Sequence, residues 1–185
     1  MAAKNGLKFK TTMKKAFVII DYQNDFISGS LGFQKALLIE ENIRDLLKTL
    51  NFKTTDLLIT FDTHSKEYLQ SKEGKMLPIK HCIKDTWGWQ MPDAFKEFIP
   101  RARKIFYKNS FGSLEFANFI AENSYEEIHF CGLVSHICVF HNILLAFNAN
   151  LNAKLILHQK ATASFDENLQ NAAFELLKAF GVEIW

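Results

Sequence analysis

Six short apolar runs set the strongest limit on what this chain can fold into: AFVIID from Ala16, DLLITFD from Asp56, KIFYK from Lys104, EIHFCGL from Glu127, AKLILH from Ala153 and VEIW from Val182. Each is strand-sized and almost continuously apolar, which a strand needs when both of its faces are buried, as in a parallel sheet. Between most of them lie stretches with helical periodicity, roughly Gln34 to Leu50, Leu114 to Glu122, Ser135 to Asn148 and Glu167 to Phe180. Gly181 follows the last of these, where a glycine ends a helix without a Cβ penalty. Strand and helix therefore alternate. The pattern predicts an α/β fold, a three-layer αβα arrangement around a six-stranded, mostly parallel sheet.

Composition narrows the class further. A chain of 185 residues with 48% apolar side chains can bury one sizeable core. No repeat or linker divides it, so residues 13–185 read as one domain. The opening MAAKNGLKFKTT, residues 1–12, is polar and basic and lacks the apolar block of a signal peptide. It reads as a disordered leader or a vector-derived extension. A net charge of +2, with basic residues spread along the chain, gives no stripe for a nucleic acid. No apolar run is long enough to span a bilayer. The cysteines Cys82, Cys131 and Cys138 are odd in number and unpaired in spacing, which points to a reduced, cytoplasmic protein.

In open α/β sheets, ligands bind at the carboxyl ends of the strands. The first run ends at Asp21, the second at Asp62 with His64 beyond it, the third at Lys108, and the fourth leads through GLVSHIC to Cys138. Taken singly, each has a structural explanation. Asp21 can cap a turn, Lys108 can be a solvated surface residue, and Cys131 or Cys138 can pack as small hydrophobes. Their convergence on one edge favours chemistry. A thiol is a nucleophile only as thiolate, and Cys138 in the first turn of a helix meets N–H groups and a dipole that favour negative charge. Lys108 can add positive charge there, Asp21 can accept the thiol proton, and backbone N–H groups around Val134 and Cys138 can hold an oxyanion. Thr63 to Pro92 breaks the alternation with a long, polar, aromatic stretch. It is either an active-site loop or a disordered insertion, and its tryptophans and tyrosine argue against disorder.

The ordered set DYQNDF, YKNSFGS and GLVSHICV resembles the Asp-Lys-Cys triad of the isochorismatase-like cysteine hydrolases, which include the nicotinamidases. The likeness runs from about Lys15 to the C-terminus. It implies the isochorismatase-like hydrolase fold, with Asp21 as general base and acid, Lys108 stabilising the thiolate and Cys138 attacking an amide carbonyl. It also implies a cis peptide at Leu133-Val134, beside the oxyanion hole. Nicotinamidases hold a divalent metal through an Asp-x-His pair and a later histidine. The resemblance maps these ligands to Asp62, His64 and His81, with Glu73 as an added carboxylate and zinc ahead of iron or manganese. Phe26 matches the family's ring-stacking aromatic, and Trp87 or Trp89 can complete that wall.

Several departures loosen the choice of substrate: Leu77 stands before Pro78 where many nicotinamidases have an aromatic, the segment after Lys108 is short, and His136 replaces an acid. The expectation is a cysteine amidohydrolase that cleaves a small carboxamide, nicotinamide preferred, through a thioester. Another amide or carbamoyl hydrolase of the family is the first alternative. An isochorismatase, which needs no cysteine nucleophile, and a non-catalytic interaction module are the others. Because family members commonly self-associate, a homo-oligomer is expected.

Overall fold

A computed structural model describes residues 13–185 of the chain. The leader expected over residues 1–12 lies outside the described residues. All six apolar runs form strands: β1 (Lys15–Ile20), β2 (Thr55–Asp62), β3 (Ala102–Lys108), β4 (Glu127–Leu133), β5 (Lys154–Ala163) and β6 (Glu183–Ile184). They make one sheet in the order β3-β2-β1-β4-β5-β6. Every pairing is parallel, so the sheet is wholly and not merely mostly parallel.

Successive side chains of a strand point to opposite faces, and here both faces are covered. Phe17 and Ile19 of β1 enter one core with Ile43 and Leu47 of the helix α3 (Glu40–Thr49). The short helices α1 (Asn24–Ile27) and α2 (Gln34–Leu38) share that face through Phe26, Ile27 and Ala36. Val18 and Ile20 enter the other core with α5 (Leu114–Asn123), α6 (Phe140–Ala149) and α7 (Glu167–Ala179). Each fully buried Ile, Leu or Phe in these layers contributes roughly 1.5–3 kcal/mol.

The helices begin and end where side chains can satisfy their free backbone groups. Ser113 accepts a hydrogen bond from the Phe116 N–H, and Asp166 from the Leu169 N–H. Gly181, at φ 85°, ends α7 while the Val182 N–H returns to the Leu177 carbonyl. Two stretches differ from the sequence pattern. Gln34 to Leu50 is two helices meeting at Ile39, and Ser135 to Asn148 opens with a π-turn at Ser135–Val139 before α6. Thr63 to Pro92 packs against the sheet as a wall that contains α4 (Lys72–Met76), with Tyr68, Cys82 and Met91 buried in it.

Candidate active site

Strand order reverses beside β1, since β2 and β3 lie to one side of it and β4 to the other. A crevice opens at the carboxyl ends of strands at such a switch point. Asp21, the first residue beyond β1, sits there with φ 45°, a left-handed conformation that costs about 1–3 kcal/mol outside glycine. Its carboxylate accepts the Thr60 hydroxyl at 2.6 Å and lies 2.6 Å from the Lys108 ammonium. Lys108, at the end of β3, reaches back over β2. Its nitrogen is also 3.7 Å from the Cys138 sulfur, 3.6 Å from Asp62 and 2.9 Å from the Ser110 carbonyl. All three of Asp21, Lys108 and Cys138 are buried.

Burial governs their electrostatics. It pushes the Asp21 carboxyl up; Lys108 pulls the other way without cancelling the rise, and Asp62 adds to it. Burial also opposes charge on Lys108, yet the negative groups at Asp21, Cys138 and Asp62 outweigh it and hold the ammonium protonated. The Cys138 thiol is pushed well up by burial against the pull of Lys108. Burial thus favours the neutral thiol, and the Asp21 carboxyl group beside it is placed to receive its proton.

Cys138 lies in the π-turn, where the Ile137 and Val139 N–H groups both bond to the Val134 carbonyl, at 3.0 and 3.2 Å. The Leu133-Val134 peptide is cis. Gly132, at φ 113°, passes so close to β1 that a Cβ there would strike the Ile20 carbonyl, which explains the glycine at this corner. Cys131 and Cys82 are buried in the apolar cores, and burial raises both thiols.

A second polar cluster adjoins the first. Asp62, His64 and His81 are buried, and one potential ligand atom from each lies within 4.8 Å of the others. The Asp62 carboxylate is 2.9 Å from His64 Nε2 and 3.4 Å from His81 Nε2. Glu73, in the first turn of α4, stands 3.8 Å from His81 Nε2. His81 Nδ1 bonds to the Ile79 carbonyl at 2.8 Å, which turns Nε2 into the cluster. One carboxylate and two imidazoles, with a further carboxylate in reach, make a donor set that suits a divalent transition metal. Tyr68 was not foreseen from the sequence. Its ring lies 4.6 Å from His64 and 4.8 Å from His81, and its hydroxyl donates to the Leu77 carbonyl at 3.0 Å.

Cys138 opens into a cavity of about 360 Å³ with Asp62, Glu73 and His81 on one side and mostly apolar walls elsewhere. Phe26 is in that wall, its ring 5.6 Å from His81. Trp87 is not: its side chain is 60% exposed outside the cavity, and only its carbonyl is engaged, by the Asn24 amide. Trp89 donates to the Thr63 hydroxyl and stacks on Tyr107 against the sheet edge. Aromatic content in the loop was legible, but which face of the loop turns inward was not. The other wall aromatics are Phe33, Phe111 and Phe165. Phe111 and Phe165 follow the ends of β3 and β5, so the strand-end rule could have found both. His136, bonded to the Ser164 hydroxyl at 2.8 Å, meets Phe165 edge-on at 5.3 Å.

The chain is similar to known proteins in sequence and in fold. The chain is 28% identical over 169 residues to the isochorismatase family protein PncA of Bacillus subtilis, covering 84% of this chain and 89% of that protein. It is 22% identical over 213 residues to the nicotinamidase of Saccharomyces cerevisiae, covering 92% and 98% of the two. The crystal structure of the nicotinamidase/pyrazinamidase PncA from Bacillus subtilis superposes with a TM-score of 0.81 at 26% identity, covering 93% of this chain and 99% of that one. The fold is also that of the Pyrococcus horikoshii pyrazinamidase solved in complex with zinc, with a TM-score of 0.77 at 20% identity over 93% of this chain and 98% of that one. The family model for the isochorismatase domain matches residues 15–185, and the chain belongs to the isochorismatase family.

Proposed function

We propose that this chain is a cysteine amidohydrolase that cleaves a small carboxamide, nicotinamide foremost, to its acid and ammonia. The observation that carries this reading is the contact of the buried Lys108 ammonium with both the Asp21 carboxylate and the Cys138 sulfur. The names of the similar proteins, nicotinamidase and pyrazinamidase, support the choice of substrate.

Asp21 takes the thiol proton as the sulfur attacks the amide carbon, and the ammonium of Lys108 stabilises the charge that forms on sulfur. Backbone N–H groups at Val134 and Cys138 hold the carbonyl oxygen while it is negative. Asp21 returns its proton to the amide nitrogen, the C–N bond breaks, and ammonia leaves a thioester on Cys138. Water then adds to the thioester carbon and yields its proton to Asp21. The sulfur leaves and is reprotonated from Asp21, and the acid is released. Phe26 offers a ring face for an aromatic substrate to stack on.

Asp62, His64 and His81, joined by Glu73, would hold a divalent ion, zinc ahead of iron or manganese. When bound, such an ion supplies a Lewis acid that orients the substrate. Three free, buried cysteines support a reducing, cytoplasmic setting, and among the described residues no helix is long and apolar enough to cross a membrane.

Ammonia release from nicotinamide, pyrazinamide and a panel of aliphatic amides tests the reading. Nicotinamide and pyrazinamide should be cleaved fastest. Cleavage of aliphatic amides alone would remove nicotinamide as the substrate.

A further inference from the structure

The cavity that holds Cys138 is not the largest one. A second chamber of about 1010 Å³ lies beside it, and the two share Glu73, Leu77, Phe111 and Ile137 as a common partition. Cys138 faces only the smaller chamber, whereas His64 and Tyr68 face only the larger. The Asp62-His64-His81 cluster therefore lies between them. A single-ring carboxamide with its carbonyl at Cys138 occupies the first chamber and leaves the second unfilled.

The second chamber adjoins the first across that partition. Beside the Glu73 carboxylate the partition presents Leu77, Phe111 and Ile137, so three of its four side chains are apolar. Tyr68 and Met76 extend the apolar lining beyond the crest. Away from Glu73 at the partition, the charged side chains around the chamber, Glu67, Lys72 and Lys84, are exposed and of both signs, which favours no charged group there. The Tyr68 hydroxyl anchors the Leu77 carbonyl, so the backbone of the partition is held in place.

We infer that the second chamber is a substrate-extension subsite that takes the apolar tail of a carboxamide longer than one ring, while its carbonyl sits at Cys138. The inference rests on the amidohydrolase reading and adds to it the shape of the acyl group. Apolar burial of the tail lowers KM for the longer amide relative to the single ring.

The test compares ammonia release from nicotinamide with release from nicotinamides bearing a butyl or phenyl group at each free ring position. At least one extended amide should be hydrolysed with a KM below that of nicotinamide. Met76→Trp and Lys72→Trp place bulk in the second chamber alone, at exposed positions outside the triad and the metal cluster. Each should raise KM for the extended amide about tenfold and keep nicotinamide kcat/KM within about twofold. Hydrolysis of nicotinamide with rejection of every extended amide overturns the inference and leaves the amidohydrolase reading standing. So does an extended amide whose KM neither variant changes. Failure to hydrolyse any amide in the panel overturns both.

Discussion

The Lys108 ammonium stands 3.6 Å from Asp62, on the same nitrogen that meets Asp21 at 2.6 Å. One buried cation thus joins Asp21, the proposed base, to Asp62 of the candidate metal cluster. Lys108→Met leaves two buried carboxylates without their shared counter-charge. Removing one partner of a buried ion pair costs about 3–5 kcal/mol. The midpoint of urea unfolding should fall accordingly, and kcat/KM for nicotinamide should drop by at least about 10²-fold. Unchanged stability would mean that Asp21 is neutral in the native state.

Cys138→Ala isolates the sulfur from the fold. The side chain is small and removes no hydrogen bond that the surrounding backbone needs, so the thermal unfolding midpoint should stay close to that of the parent chain. Turnover should vanish, because neither other thiol faces the cavity: Cys131 is inside β4, and Cys82, next to His81, is fully buried and does not line it. A variant that unfolds would assign Cys138 to packing instead of chemistry.

The contrast between Cys138 and Trp87 shows how far the sequence reaches. Asp62 and Lys108 end strands, Asp21 and Cys138 follow them, and a parallel sheet brings its strand ends to one edge whatever the loops do. Those four were legible from apolar runs alone, as were the six strands themselves. Trp87 lies in a long connection whose inward face is set by tertiary contacts, among them the Asn24 amide on its carbonyl. Tyr68 escaped notice for the same reason. The break at Ile39 and the π-turn at Ser135–Val139 are local backbone choices within helical periodicity, to which a spacing of apolar residues is blind.

Tyr68 supports the two imidazoles by contact and the partition by its hydroxyl. Tyr68→Ala should weaken metal binding, because both imidazoles lose the ring that packs against them. Tyr68→Phe keeps the ring and should retain most of that affinity, losing only the bond to Leu77. Competition with a chelator under zinc measures both, and His64→Ala gives the reference for loss of a ligand. Full affinity in Tyr68→Ala would show that Tyr68 merely fills space.

Away from the site, His129 of β4 and His158 of the neighbouring β5 stack at 5.1 Å with their nitrogens 2.9 Å apart, a spacing that accommodates one hydrogen and not two. Burial, reinforced by His129, lowers the His158 pKa from its usual value to about 4. The unfolded chain therefore binds more protons than the folded one between that value and the ordinary histidine range. Stability contributed by neutral His158 is present above about pH 6.5 and is lost as pH falls towards about 4. Glu127, whose carboxyl is lowered by Lys15 and His129 against the effect of burial, continues the loss at lower pH. The urea midpoint should decline from pH 7 to pH 5, and His158→Phe should flatten that decline by less than one proton because the ring is only partly buried. An identical slope in the variant would place the acid sensitivity in other groups.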